Sequence, residues 1–97
     1  DQEAGQKLRL LESDVRGMME EASSPDVQRA LKELAEAIHF SDPASLPGLA
    51  DVEWQIAENM ATLKDELKNG HGRPLARIET LRRLLKERDR TAAILKQ

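Results

Sequence analysis

The residues best suited to chemistry in this sequence are His39, Ser41 and Asp42, which lie within four positions of one another. A histidine base, a hydroxyl nucleophile and an orienting carboxylate are the parts of a hydrolytic triad. Side chains this close in one turn rarely form the successive hydrogen bonds, from nucleophile to base to carboxylate, that a triad needs. Triads are normally assembled from segments that are separated in sequence. The sequence therefore predicts no enzyme and no catalytic residue. It predicts instead that His39 interacts with the last carbonyls of a helix.

Metal and phosphate sites are weakly supported by the remaining polar residues. The chain has two histidines, His39 and His71, and no cysteine, whereas a zinc site needs three or four ligands in defined geometry. Carboxylate pairs such as Glu33 with Glu36 lack the Glu-x-x-His spacing of di-metal bundles. The turn Gly70-His71-Gly72-Arg73 precedes a predicted helix but has no Walker-type lysine. We expect no metal and no cofactor.

Four amphipathic helices are predicted to position these residues, over about 3–22, 25–40, 47–68 and 74–96. In each of them apolar residues recur at steps of three and four, which is typical of a helix with one buried face. Ser24 as N-cap and Pro25 at the first helical position predict the start of the second helix. Asn69-Gly70 predicts the end of the third helix, with glycine in the left-handed conformation of a C-terminal cap. The prolines at 43 and 47 stop the second helix. The inward stripes are Ala4, Leu8, Leu11, Val15, Met18 and Ala22; Val27, Leu31, Leu34 and Ile38; Leu49, Val52, Ile56, Met60, Leu63 and Leu67; and Ile78, Leu81, Leu85, Ala92 and Leu95.

The predicted fold is all-α, an antiparallel up-down four-helix bundle formed by residues 1–97 as a single domain. The alternative is a three-helix bundle with one helix, the first, projecting or swapped to pair with another copy. A chain of this length buries one modest core. Because the sequence begins with Asp1 rather than methionine, we expect it to be a fragment of a longer protein.

The third helix carries a second stripe of small residues around one large ring, formed by Ala50, Trp54, Ala57 and Ala61. Under one interpretation this face lets a neighbouring helix approach closely and Trp54 fills a corner of the core. Under the other, Trp54 is the anchor of a subunit or partner interface, where tryptophan is enriched among energetic hot spots.

Arg88 occupies a position on the inward stripe of the fourth helix where an aliphatic residue is expected. Because burying an unpaired guanidinium is costly, we expect partial exposure where the bundle opens to water. The alternative is a buried polar contact that fixes helix register or oligomeric state, with a carboxylate partner such as Glu12 or Asp14.

Charge is unevenly distributed along the chain. Residues 1–67 contain 6 basic and 15 acidic side chains, a balance of −9, and residues 68–97 contain 9 basic and 3 acidic ones, a balance of +6. The basic helix can pack among acidic helices of its own chain, reach a polyanion, or meet the acidic surface of another molecule. Binding to nucleic acid is disfavoured by the acidic total of −3 and by the absence of tyrosine and scarcity of phenylalanine for base stacking.

The sequence therefore predicts a non-enzymatic helical interaction or assembly module that docks a protein partner or another copy, as a homo-oligomer. The predicted partner-binding residues are Ala50, Trp54, Ala57, Ala61, Arg82, Arg83 and Arg90. The alternative function is binding of nucleic acid or an anionic membrane through the basic C-terminal helix. Membrane contact is otherwise expected only through flanking segments, since no apolar stretch approaches the roughly 20 residues of a membrane span. The expected location is the cytoplasm, as a soluble protein or the soluble domain of a membrane-tethered one.

Overall fold

A computed structural model describes residues 2–97 of the chain, with side chains from Gly5 onward. It contains four α-helices: α1 (Gln2–Met18), α2 (Pro25–His39), α3 (Ala50–Asn69) and α4 (Pro74–Leu95). A short 3-10 turn, Pro47–Leu49, leads into α3. Residues 2–97 contain no strand, and the predicted all-α fold is confirmed.

The helix ends follow the capping signals of the sequence, except at the end of α1. Ser24 Oγ accepts the Val27 N–H at the start of α2, and Gly70 ends α3 in the left-handed conformation, at φ 65°. However, α1 ends at Met18, four residues earlier than predicted. Gly17, which lacks a Cβ and favours irregular backbone, lies in its last turn. The turn that follows still returns Ala22 to the core.

The four helices pack against one another around a shared core. α1 packs on α2, α2 also packs on α4, and α4 packs on α3. Val15 and Met18 of α1 are buried with residues of the other helices, so the structure shows four packed helices rather than three with one projecting. The antiparallel up-down order remains a prediction. The largest fully buried side chains are Leu31, Leu34, Ile38, Leu49, Leu63, Leu81 and Val15.

Most of the predicted inward stripes are buried, but the start of α1 is looser. Leu8 and Leu11 are only half-buried and pack at the margin of the core, and the side chain of Ala4 lies outside the described residues. At the other end of the chain, Leu95 is the last residue of α4 and is exposed, with its side chain against Gly48. In the described part of the chain, none of the helices has an apolar stretch that would span a bilayer.

Candidate functional site

An open groove of about 440 Å³ lies between α1 and α3, and we call it the Trp54 groove. Its apolar walls are Leu8, Leu10 and Leu11 from α1 and Ala50, Trp54 and Ala57 from α3. The groove exists because α1 packs mainly on α2 and α3 packs mainly on α4, so that α1 and α3 do not close onto each other.

Trp54 lies on the solvent side of this groove, with 62% of its surface exposed. The interpretation that placed its ring in the core is therefore wrong. The core side of α3 is already occupied by the stripe of Val52, Ile56, Met60 and Leu63, which leaves the indole on the side facing α1. An indole so exposed keeps a large apolar area in water, and covering that area would be favourable.

Leu10 contributes a second exposed apolar side chain to the groove, with 67% of its surface exposed. Leu10 is not among the binding residues predicted from the sequence. The signal was present, because Leu10 is a large aliphatic residue that falls off the inward stripe of α1, between Leu8 and Leu11.

The predicted alanines divide into two groups. Ala50 and Ala57 line the Trp54 groove, and their small side chains leave room for a partner's backbone to approach. Ala61 is also exposed, but it lies beside a separate shallow depression with Thr62 and Arg77. The structure thus brings Ala50, Trp54 and Ala57 together and leaves Ala61 outside the groove.

Arg88 lines the groove but is itself 2% exposed, so the expectation of partial exposure is wrong. Its Nε donates to Glu53 Oε2 at 3.1 Å, and Nη1 donates to the Asp42 carbonyl at 2.7 Å and to Asp89 Oδ1 at 3.2 Å. Nη2 donates to the Ala44 carbonyl at 2.8 Å. These hydrogen bonds attach the connection between α2 and α3 to α4.

Glu12 and Asp14, the partners proposed for Arg88 from the sequence, do not pair with it. Asp42 and Ala44 supply carbonyl oxygens that sequence periodicity does not reveal, because they lie in an irregular segment that folds across α4. The carboxylates that compensate the guanidinium are those of Glu53 and Asp89. Since buried guanidinium groups are stable only when hydrogen-bonded and paired, this arrangement explains why an arginine is accommodated on the inward stripe.

The three predicted binding arginines do not line the Trp54 groove. Arg82 contacts Glu33 of α2, with Nη1 3.4 Å from Oε1. Arg83 and Arg90 are exposed on α4 and form no ion pair with the described residues. Docking at the groove and binding through Arg83 and Arg90 would therefore use different parts of the surface.

His39 contacts the neighbouring helix rather than the carbonyl groups of its own. Its Nδ1 lies 3.1 Å from Glu12 Oε1 of α1, so the prediction that it caps α2 is wrong. The packing of α1 on α2 brings this carboxylate within reach. Hydrogen bonds from His39 and then from Arg16 lower the pKa of Glu12 below its ordinary value.

The serine and aspartate next to His39 have different partners. Ser41 Oγ donates to the Ala37 carbonyl at 2.8 Å. The Asp42 carboxylate accepts from Lys96 Nζ at 2.6 Å and from the Ala44 N–H at 3.0 Å, and these bonds lower the pKa of Asp42. The Ser41 hydroxyl and the Asp42 carboxylate thus stabilise the end of α2 and the connection that follows it.

No cluster of three or more histidine, aspartate or glutamate side chains is placed to hold a metal ion within the part of the chain that the structure describes. His71 Nε2 lies 3.1 Å from Asp65 Oδ2 on an exposed turn. Both side chains are more than half exposed.

Fold and surface together define an all-helical protein with an open apolar groove between two of its helices. Comparison of the chain with known protein families, curated proteins and solved structures finds no significant match.

Proposed function

We propose that this protein is a non-enzymatic interaction or assembly module that docks a helix of a protein partner in the Trp54 groove. The observation that carries the proposal is the pair of exposed apolar side chains, Trp54 and Leu10, on opposite walls of one groove. Exposed apolar clusters of this kind are typical of binding surfaces, and tryptophan is among the residues enriched at energetic hot spots.

A helix suits the shape of the groove better than an extended peptide. Both walls are helices, and the groove residues recur at helical steps, from Lys7 to Asp14 on α1 and from Ala50 to Ala57 on α3. Seven residues correspond to about 10 Å, or two turns. A partner helix with apolar residues at i, i+3 or i+4, and i+7 would present its side chains at matching intervals.

We also propose that the four helices form an antiparallel up-down bundle, in which successive helices alternate in direction. Between α3 and α4, the pairs Asn59–Arg77 and Glu53–Arg88 run in opposite directions along the two helices. Glu33 of α2 contacts Arg82 of α4, and beyond the ends of these helices Asp42 contacts Lys96. Residue numbers increase in the same direction along both segments, as is required of the second and fourth helices when successive helices alternate in direction. In this order α1 and α3 are the parallel walls of the groove.

Binding of nucleic acid or an anionic membrane through α4 has less support, because much of its positive charge is compensated within the chain. Arg77, Arg82, Arg88 and Lys96 contact Glu66, Glu33, Glu53 and Asp42 respectively. A polyanion ligand would have to compete with these carboxylates. In the proposed function the module acts in the cytoplasm, alone or as part of a membrane-tethered protein.

Trp54 is the only tryptophan, and there is no tyrosine, so its fluorescence reports directly on the groove. We would select helical peptides from a displayed library with randomised apolar faces and then titrate them against the protein. We expect the selected peptides to shift the Trp54 emission to shorter wavelength, because the indole would leave water.

Leu10→Ala keeps the fluorescent reporter and removes part of the opposite wall, so it should weaken peptide binding about tenfold, as expected for the loss of one buried leucine side chain. Phe40→Ala is the matched control, since Phe40 is 81% exposed but does not line the groove. Selected peptides that leave the emission unchanged, or that bind the Leu10→Ala variant as tightly as the parent, would show that the groove is not a docking site.

A further inference from the structure

We propose that a second copy of this chain binds at the edge of the Trp54 groove, held by two charged rows that match in spacing. The acidic row consists of Asp51 and Glu58 on α3, with Trp54 between them. The basic row consists of Arg83, Lys86 and Arg90 on α4. This inference rests on the proposed docking function, because Trp54 lies at the edge shared by the groove and the acidic row.

All six side chains of the two rows are exposed. None of the five charged ones forms an ion pair with any side chain from residue 5 to residue 97. By contrast, Arg77, Arg82 and Arg88 of α4 all contact carboxylates of the same chain. The charged side chains of the two rows are thus free of ion pairs with the described residues.

The rows have the same internal spacing. Asp51, Trp54 and Glu58 follow one another at steps of three and four residues, and so do Arg83, Lys86 and Arg90. Residues at these steps lie on one side of a helix, and the outer two are about 10 Å apart along the axis. When α4 of a second copy runs beside α3 in the same direction, Asp51 meets Arg83 and Glu58 meets Arg90.

The same alignment places Trp54 opposite Lys86 of the second copy. An ammonium group over an indole face is a favourable cation–π contact, and it gains strength when water is excluded. The association therefore combines ion pairs at its two ends with burial of the most exposed aromatic surface of α3. Ala50 and Ala57, which flank Trp54, allow the second helix to approach closely.

Ion pairs between the acidic and the basic row are expected between two copies of the chain, not within one copy. In a single chain α3 and α4 already pack on each other through other faces, and no ion pair joins the rows. The wider charge distribution agrees, since residues 1–67 have a balance of −9 and residues 68–97 a balance of +6. A polyanion approaching the basic row would instead be opposed by the acidic total of the chain, −3.

The test is a charge swap followed by sedimentation velocity over a range of protein concentrations. We expect the parent chain to associate reversibly at low salt and to dissociate when the ionic strength is raised to about 0.5 M, because exposed ion pairs are screened. Asp51→Lys with Glu58→Lys should give a monomer, and so should Arg83→Glu with Arg90→Glu. An equimolar mixture of these two variants should associate again, since each offers the row that the other has lost.

A matched control variant, Arg9→Glu with Lys32→Glu, makes the same change in net charge as Arg83→Glu with Arg90→Glu, at exposed positions outside both rows. It should associate like the parent, and thermal melting should show that every variant is folded. Leu10→Ala changes the groove and neither charged row, and it is scored by the binding of the selected groove peptides, which tests the docking function separately from the rows. A parent that stays monomeric at about 1 mM and low salt, or a mixture that does not reassociate, overturns the second copy as partner. Binding of the groove peptides would then still support the docking function.

Discussion

Arg88→Ala is expected to destabilise the fold by about 3 kcal/mol. The side chain donates to the carbonyls of Asp42 and Ala44, and hydrogen bonds from a charged donor contribute about 1.5–3 kcal/mol each. Its two carboxylate partners, Glu53 and Asp89, are 31% and 38% exposed, so together they add at most about 1 kcal/mol. We expect the loss of stability to lie at the lower end of the sum of these contributions. The segment between α2 and α3 is only half-buried, so water can bind the Asp42 and Ala44 carbonyls once Arg88 is removed.

This loss is large for a domain whose total stability is about 5–15 kcal/mol. It corresponds to a decrease in melting temperature of about 12–24 °C, which circular dichroism and urea unfolding would both measure. Amide exchange should also rise at Asp42 and Ala44, since Arg88 attaches this connection to α4. Arg83→Ala is the control on the same helix, because its side chain is exposed, and the change should stay within about 0.5 kcal/mol. Equal stability of the two variants would refute the assigned role of Arg88.

Three further changes test local features of the fold. Gly72→Ala should cost about 1–3 kcal/mol in urea unfolding, because Gly72 has a φ of 77° and a Cβ there would overlap the carboxylate of buried Glu66. Gly17→Ala should instead stabilise α1 by about 0.5–1 kcal/mol, since a Cβ at that position meets nothing within 4 Å; a destabilised variant would contradict this. Asp42, whose pKa is lowered first by the Lys96 hydrogen bond, contributes stability that is fully present above its ordinary pKa of about 4 and is lost as pH falls through its lower folded value. Asp42→Asn should therefore flatten the acid side of the pH–stability curve, and an unchanged curve would exclude this contribution.

The helices themselves could be predicted because their signals are local. The inward stripe of α2, the Ser24 cap and the Gly70 end each depend on residues within a few positions of one another. The end of α1 was misplaced because the apolar spacing continues through Ala22, while the backbone turns after Met18. Apolar spacing indicates which residues are buried, but not whether their backbone is helical. Ala22 is buried although it lies in the turn after α1.

The candidate site was predicted only in part. Ala50, Trp54 and Ala57 were correctly grouped on one face of α3, but the sequence left open whether that face is buried. Leu10, on the opposite wall, was missed because nothing in the local spacing relates α1 to α3. The assignment of Arg82 as a binding residue remains a prediction, and its contact with Glu33 of α2 was not visible from α4 alone.

The sequence by itself determined four amphipathic helices, their caps and a strong separation of charge, since each of these depends on neighbours along the chain. The tertiary structure decided which helix surfaces stay in water. Because α1 packs mainly on α2 and α3 mainly on α4, one side of the bundle is left open, and Trp54 and Leu10 remain exposed there. The same packing folds a connecting segment over Arg88 and buries it. Both outcomes depend on how far apart the helices lie, and that distance is set by contacts between residues remote in sequence.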